Sequence, residues 1–187
     1  MKSNYVSRAI KFLDSILPYI QNDLTDVMRV KTIVERYNYV HKRKVLVRSG
    51  ATRCVLITSD YVIKWDYGRN IKVFGGCIDE AENYEIACQD GFEYLLAETT
   101  SIMRFGRSFN IMPRYKISDD IEKEEGKPWI YDMITYEERE WLYNHIGDIH
   151  EMNYVVVHGR PIIIDYACRP FHPWSTGRTS CESSSFR

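Results

Sequence analysis

Four residues in the sequence have the types and order that phosphoryl chemistry needs. Lys64 lies in the run Tyr-Val-Ile-Lys-Trp-Asp (61–66), flanked by apolar neighbours. Burying its ammonium without an anion nearby is expensive, so the position asks for an anionic partner. Asp148 and Asn153 stand five apart in Gly-Asp-Ile-His-Glu-Met-Asn (147–153), and Asp165 ends the apolar run Pro-Ile-Ile-Ile-Asp twelve residues further on. Transfer of a phosphoryl group rests on positioning and charge neutralisation more than on covalent chemistry. It calls for a cation on the phosphates, a carboxylate near the attacking hydroxyl, and hard oxygen donors for a divalent metal. An amide and a carboxylate, here Asn153 and Asp165, are donors of that kind.

These groups must be held by strands, a helix and turns, and the periodicity supplies each. Val45 to Tyr67 reads as β-structure: runs at 45–48 and 53–58 around the small-residue turn Ser49-Gly50-Ala51-Thr52, then a run at 61–67 after Ser59-Asp60. In the last run Val62, Lys64 and Asp66 share one face and Ile63, Trp65 and Tyr67 the other. An acid-rich helix is expected from about Asp79 to Gln89, ended by Asp90-Gly91, and it carries Glu80, Glu82 and Glu85. Residues 109–116 read as a strand, with Pro113 marking its end or an edge. Residues 116–128 read as a charged loop, and 129–146 as a helical region with a second short helix starting near Tyr136. The segment 154–165 reads as a hairpin turning at His158-Gly159-Arg160.

Upstream, two helices are expected. Ile10, Leu13, Ile16, Leu17 and Ile20 recur at helical spacing, with Pro18 marking a last turn or kink. Asn22 or Asp23 is offered as cap for a second helix with the stripe Leu24, Val27, Met28, Lys31, Val34 and Tyr37. His-Lys-Arg-Lys at 41–44 reads as a solvated connector rather than a nucleic-acid patch. Net charge is −1, so no whole-chain field points to nucleic acid. The five cysteines form no C-x-x-C pair. With no leader pattern at the N-terminus, a reducing cytoplasmic compartment is expected. No apolar run approaches the roughly 20 residues that span a bilayer, so no membrane partner is expected. The tryptophans Trp65, Trp129, Trp141 and Trp174 are expected in cores or at lobe interfaces. His145, His150, His158 and His172 lack metal-ligand spacing, and His150 is expected to support its loop by hydrogen bonds. The Ser-rich end, 175–187, shows no apolar period.

The segment "GDIHEMN…IIIDYA" resembles the catalytic segment of the protein-kinase-like superfamily, in the D-x-H-x-x-N form of aminoglycoside phosphotransferases and related bacterial and phage kinases. "YVIKWD" resembles that family's third-strand lysine motif. "DEAENYEIACQDGFEYLLAE…NIMPR" resembles its regulatory helix followed by its hinge strand. The resemblance spans roughly residues 45–167, and its compact form is similar to small kinase-like proteins of bacteriophages. It implies an α+β fold with an antiparallel β-sheet N-lobe (45–115) bearing one regulatory helix. A minimal C-lobe (116–174) and an N-terminal helical extension (1–44) complete it.

The resemblance also implies roles. Lys64 would contact ATP phosphates and pair with Glu80, with Glu82 and then Glu85 as the other choices. Asp148 would be the catalytic base, and Asn153 and Asp165 would hold Mg2+. Gly50 would cover the phosphates, and Met112, Pro113 and Arg114 would form the hinge beside adenine. ATP and Mg2+ are thus the implied cofactors. The implied activity is phosphorylation of protein Ser/Thr hydroxyls, with a host protein as substrate and host cytoplasm as location if the chain is phage-encoded. The alternatives are a small-molecule kinase of aminoglycoside-phosphotransferase type and a pseudokinase-like binding module. The oligomeric state is left open.

Departures from the family pattern are specific. The phosphate-covering turn has one glycine where active protein kinases usually have three. His150 stands where Ser/Thr kinases place a lysine. Asp165 is followed by Tyr166-Ala167 instead of Phe-Gly. Only 22 residues follow Asp165, too few for a substrate-binding helical lobe of ordinary size.

Overall fold

The computed structural model describes residues 4–50, 52–67, 76–115, 128–147 and 149–167. The expected loop at 116–128, apart from Pro128, and the Ser-rich end lie outside these, as do Asp148, Cys168, His172, Trp174 and Cys181. By its internal contacts the chain divides into two compact units, Met1–Ile71 with Glu98–Arg114 and Lys72–Ala97 with Tyr115–Arg187. The acid-rich helix, grouped with the sheet in the sequence reading, falls in the second.

The first unit is a five-stranded antiparallel sheet with two helices. Its strands are β1 (Leu46–Ser49), β2 (Arg53–Ile57), β3 (Tyr61–Asp66), β4 (Thr100–Arg104) and β5 (Arg107–Pro113), in the order β1-β2-β3-β5-β4. The helices are α1 (Asn4–Ile20) and α2 (Val27–His41). Cross-strand partners lie on the same face, and the register pairs Cys54 with Trp65, Leu56 with Ile63, Ile63 with Ile111 and Trp65 with Phe109. These side chains are fully buried in one core with Ala9, Leu13, Ile16, Leu17 and Ile20 of α1 and with Val30 and Val34 of α2. The helical extension is therefore the cover of one sheet face, which satisfies the need of an apolar sheet face to be buried. The Trp65 indole N–H donates to the Leu24 carbonyl at 2.9 Å, fixing the α1–α2 connection to β3. Arg8–Asp60 (2.9 Å) and Arg104–Asp14 (3.0 Å) ion pairs lie at the partly exposed rim.

Several local expectations change. The cap of α2 is Asp26, whose Oδ1 accepts from the Arg29 N–H at 3.1 Å, and not Asn22 or Asp23. Asp23 instead pairs with the Arg29 guanidinium. Leu24 thus precedes the helix, and the buried stripe runs through Val30 and Val34. Met28 is 71% exposed and Lys31 is exposed. The 41–44 segment is an exposed connector: Lys42 takes a left-handed conformation (φ 49°) as C-cap. The Asn38 amide brackets Val45, donating to its carbonyl at 2.8 Å and accepting its N–H at 3.1 Å. Strand β4 was not expected. It joins β5 through a two-residue turn in which Phe105 and Gly106 both have positive φ (50° and 71°), the geometry that suits strand twist.

In the second unit, α3 (Cys77–Asp90) ends on Gly91 at φ +80°. A strap follows, with a 3-10 turn at Glu93–Leu95 and buried Leu95, Leu96 and Ala97. A 3-10 turn at Ile130–Asp132 precedes α4 (Tyr136–His145). Thr135 caps α4 reciprocally: its Oγ1 accepts the Glu138 N–H, and its own N–H donates to Glu138 Oε2. Trp141 of α4 donates to Asp90 Oδ2 at 2.8 Å and stacks on Phe92, tying α4 to the end of α3. Trp129, expected in a core or at a lobe interface, is 43% exposed and meets Tyr131 edge-on. The hairpin β6 (Tyr154–Val157) and β7 (Arg160–Ile163) turns on His158 and Gly159 alone, both at positive φ. Among the described residues, no helix is long and apolar enough to cross a membrane.

Candidate functional site

Lys64 sits in the middle of β3 on the sheet face opposite the α1–α2 core, and only 6% of its surface is exposed. Its register partners are Val55 on β2 and Asn110 on β5. Two residues earlier Val62 pairs with Met112, so Val55, Val62, Lys64, Asn110 and Met112 share one face. Asn110 and Met112 are buried, while Val55 and Val62 are half-buried. The lysine is therefore buried on a face whose other members, Asn110 apart, are apolar. Val62 was already placed on the lysine's face by strand alternation, whereas Val55 was not singled out, because only the pairing register shows that it flanks the lysine.

Gly50 directly follows β1. Its N–H donates to Arg53 O at 2.9 Å, and its carbonyl accepts the Tyr67 hydroxyl at 2.7 Å. A Cβ at Gly50 would meet nothing within 4 Å, and its φ is not positive. Neither crowding nor backbone conformation requires glycine there. At the far end of the sheet, the Arg114 N–H donates to Asp60 O at 2.9 Å, and its guanidinium donates to Thr58 O at 2.7 Å. Arg114 is also the last residue of the first unit, and the chain enters the second at Tyr115.

The second unit carries the acids. The buried residues of α3 are Cys77, Glu80, Asn83 and Ala87, whereas Glu82 and Glu85 are exposed and Ile78 is 60% exposed. This helix buries a carboxylate and an amide while leaving an isoleucine in water. A buried polar residue is the informative kind, since burying a charge is costly unless it is paired.

Asn153 and Asp165 meet at the open end of the β6–β7 hairpin. Tyr154 pairs with Ile163, so Asn153 and Ile164 are the next positions outward. The Asn153 carbonyl accepts the Ile164 N–H at 2.7 Å and the Asp165 N–H at 3.3 Å. His150 shapes the approach: its Nδ1 accepts the Met152 N–H at 3.2 Å, and its carbonyl accepts the Asn153 N–H at 2.9 Å. The resulting 3-10 turn, Glu151–Asn153, leaves Asn153 buried and Asp165 half-buried. An amide oxygen and a carboxylate thus come from residues joined by a main-chain hydrogen bond. Asp148 lies outside the described residues. Among those described, no three His, Cys, Asp or Glu side chains form a group that could hold a metal.

No family model matches the sequence, and no curated protein matches it. A solved structure described as a co-crystal structure of WbdD and the kinase inhibitor LY294002 is similar at 14% identity and a TM-score of 0.37. The match covers 68% of this chain and 33% of that one, so the chain spans about a third of that protein's length.

Proposed function

We propose that the chain is a protein-kinase-like phosphotransferase that uses ATP and Mg2+ and phosphorylates Ser or Thr hydroxyls of a protein. The observation that carries this reading is the hairpin mouth, where the Asn153 carbonyl holds the Asp165 N–H and brings two oxygen-bearing side chains to neighbouring positions. The element order gives support. Although α3 groups with the second unit, an antiparallel sheet with α3 between β3 and β4 along the chain agrees with what the resemblance implies. So does the passage from one unit to the other directly after Met112, Pro113 and Arg114.

Each residue has a role in the proposal. Lys64 neutralises phosphate oxygens, and the apolar face of Val55, Val62 and Met112 suits a purine ring. Of the three acids offered for holding the lysine, Glu80 suits the role, being fully buried where Glu82 and Glu85 are exposed. Asn153 and Asp165 supply hard oxygens, and a donor pair with room for waters and phosphate oxygens fits Mg2+. When bound, Mg2+ offsets the negative charge of the phosphates. Asp148 takes the proton of the acceptor hydroxyl, whose oxygen bonds the γ-phosphorus as the β–γ bridging bond breaks and ADP leaves with the electron pair. Gly50 and its neighbours cover the phosphates through backbone groups.

A small-molecule acceptor is the second reading, favoured by His150. Its Nδ1 accepts the Met152 N–H, and an imidazole stands where Ser/Thr kinases place a lysine ammonium. Incubation with radiolabelled ATP and Mg2+, alone and with host extract, beside Asp165→Ala tests both. Label in protein, lost in the variant, supports the first reading. Nucleotide binding without protein labelling turns the search to small hydroxylated acceptors. The absence of both label transfer and nucleotide-dependent stabilisation rejects both kinase readings and leaves a binding module.

A further inference from the structure

Asn83 is buried on α3 almost one turn beyond Glu80, and the chemistry proposed above gives it no task. Its Nδ2 donates to the Tyr166 carbonyl at 2.6 Å, across 83 residues of sequence. Tyr166 is itself buried, and its hydroxyl donates to the Ala97 carbonyl at 2.6 Å. The Ala97 N–H in turn donates to Ile163 O at 2.8 Å, and Leu96 bridges Ile163. On the other side of Asp165, its own N–H goes to Asn153 O. The backbone is therefore anchored on both flanks of this one carboxylate: by the hairpin before it, and by helix and strap after it.

Resting on the phosphotransferase reading, we propose that Asn83 and Tyr166 are positioning residues. Their hydrogen bonds fix Tyr166 and the 166–167 peptide beside Asp165, so that the Asp165 carboxylate is held ready for the metal beside Asn153. A buried carbonyl that loses its donor costs free energy until the 166–167 peptide turns to find another, and the backbone change at Tyr166 is passed to its neighbour Asp165. Groups that orient a metal ligand without touching the metal typically change its affinity by about 10- to 100-fold when removed. The Tyr166-Ala167 pair, where the family usually has Phe-Gly, belongs to the same device. Its hydroxyl reaches a carbonyl that a phenylalanine leaves alone, and Ala167 lacks glycine's backbone freedom.

The test uses the full chain, wild type and two variants, Asn83→Ala and Tyr166→Phe; the second keeps the ring and its packing. Free Mn2+ is followed by electron paramagnetic resonance during titration into protein with a non-hydrolysable ATP analogue. The same analogue is titrated separately in EDTA. The expected result is Mn2+ binding weakened about tenfold in Asn83→Ala and to a smaller extent in Tyr166→Phe, with metal-free nucleotide affinity unchanged in both. Faster hydrogen exchange at the Ile164 and Asp165 amides accompanies the loss. Wild-type Mn2+ affinity in both variants overturns the inference and leaves the phosphotransferase reading standing. Equal loss of metal-dependent and metal-free binding also overturns it, because a general structural role produces that pattern. Failure of the wild type to bind Mn2+ with the analogue rejects the phosphotransferase reading itself, and the inference with it. If Asn83→Ala does not fold, Tyr166→Phe decides alone by the same criteria.

Discussion

Replacing Trp65 with phenylalanine tests whether the helical extension is part of the unit that presents Lys64. The indole has no solvent exposure, and its N–H donates to Leu24 O at 2.9 Å, 41 residues away. Phenylalanine leaves that carbonyl without its donor, which costs about 1–3 kcal/mol. The void left by the smaller ring adds about 1 kcal/mol. The sum, about 2–4 kcal/mol, is a large share of the stability of an ordinary domain. At an m-value of about 2 kcal/mol per molar urea, the midpoint falls by about 1–2 M with an unchanged slope. Urea unfolding followed by far-ultraviolet circular dichroism reads this directly. A loss under about 0.5 kcal/mol, the size expected of a surface substitution, refutes the packing of α1 and α2 on β3 described above.

Three further outcomes are expected. Gly50→Ala leaves stability within about 0.5 kcal/mol, because a Cβ there meets nothing and the backbone is unstrained; the same substitution weakens ATP in a binding titration if the turn covers phosphates, and unchanged affinity removes Gly50 from the site. Burial raises the Glu138 carboxyl, but hydrogen bonds from the Thr135 N–H, the Tyr94 hydroxyl and the Thr135 hydroxyl, with the Arg160 charge, bring it net below the ordinary 4.5. The folded state then binds fewer protons than the unfolded chain, so this stabilisation is present above pH 4.5 and is lost as pH falls through the lowered value. Glu138→Gln should flatten that acid limb in melts run against pH, and an unchanged limb contradicts the assignment. Finally, burial pushes the Cys54 thiol up to about 12, so iodoacetamide at neutral pH should modify exposed Cys88 in the native protein and reach Cys54 only after unfolding. Peptide mass mapping distinguishes the two.

Sequence was most informative where the chain obeys a simple period. The strand carrying Lys64, the hairpin ending at Asp165, and the helix ending at Gly91 all follow from alternation or a glycine stop. Legibility fell where a tertiary contact overrode a local signal. Asp23 is as good a cap residue as Asp26, but its carboxylate is taken by Arg29, and that choice moves Met28 to solvent. Strand β4 alternates half-buried and exposed residues, and its exposed positions include Ser101 and Met103; its own residues give little apolar signal. In the site, acidity alone did not separate Glu80 from Glu82 and Glu85, whereas burial does. Asn83 gave no sequence signal, because its partner carbonyl is 83 residues away.

The central claim is that this chain binds ATP through a divalent metal held at Asn153 and Asp165. Isothermal titration of ATP into the full chain, with Mg2+ and then with EDTA, tests it most directly when Asp165→Ala is run alongside. Saturable binding that Mg2+ strengthens, with that strengthening lost in Asp165→Ala while the variant keeps its circular dichroism, is the predicted result. No binding by the wild type, or binding indifferent both to Mg2+ and to Asp165, contradicts the account.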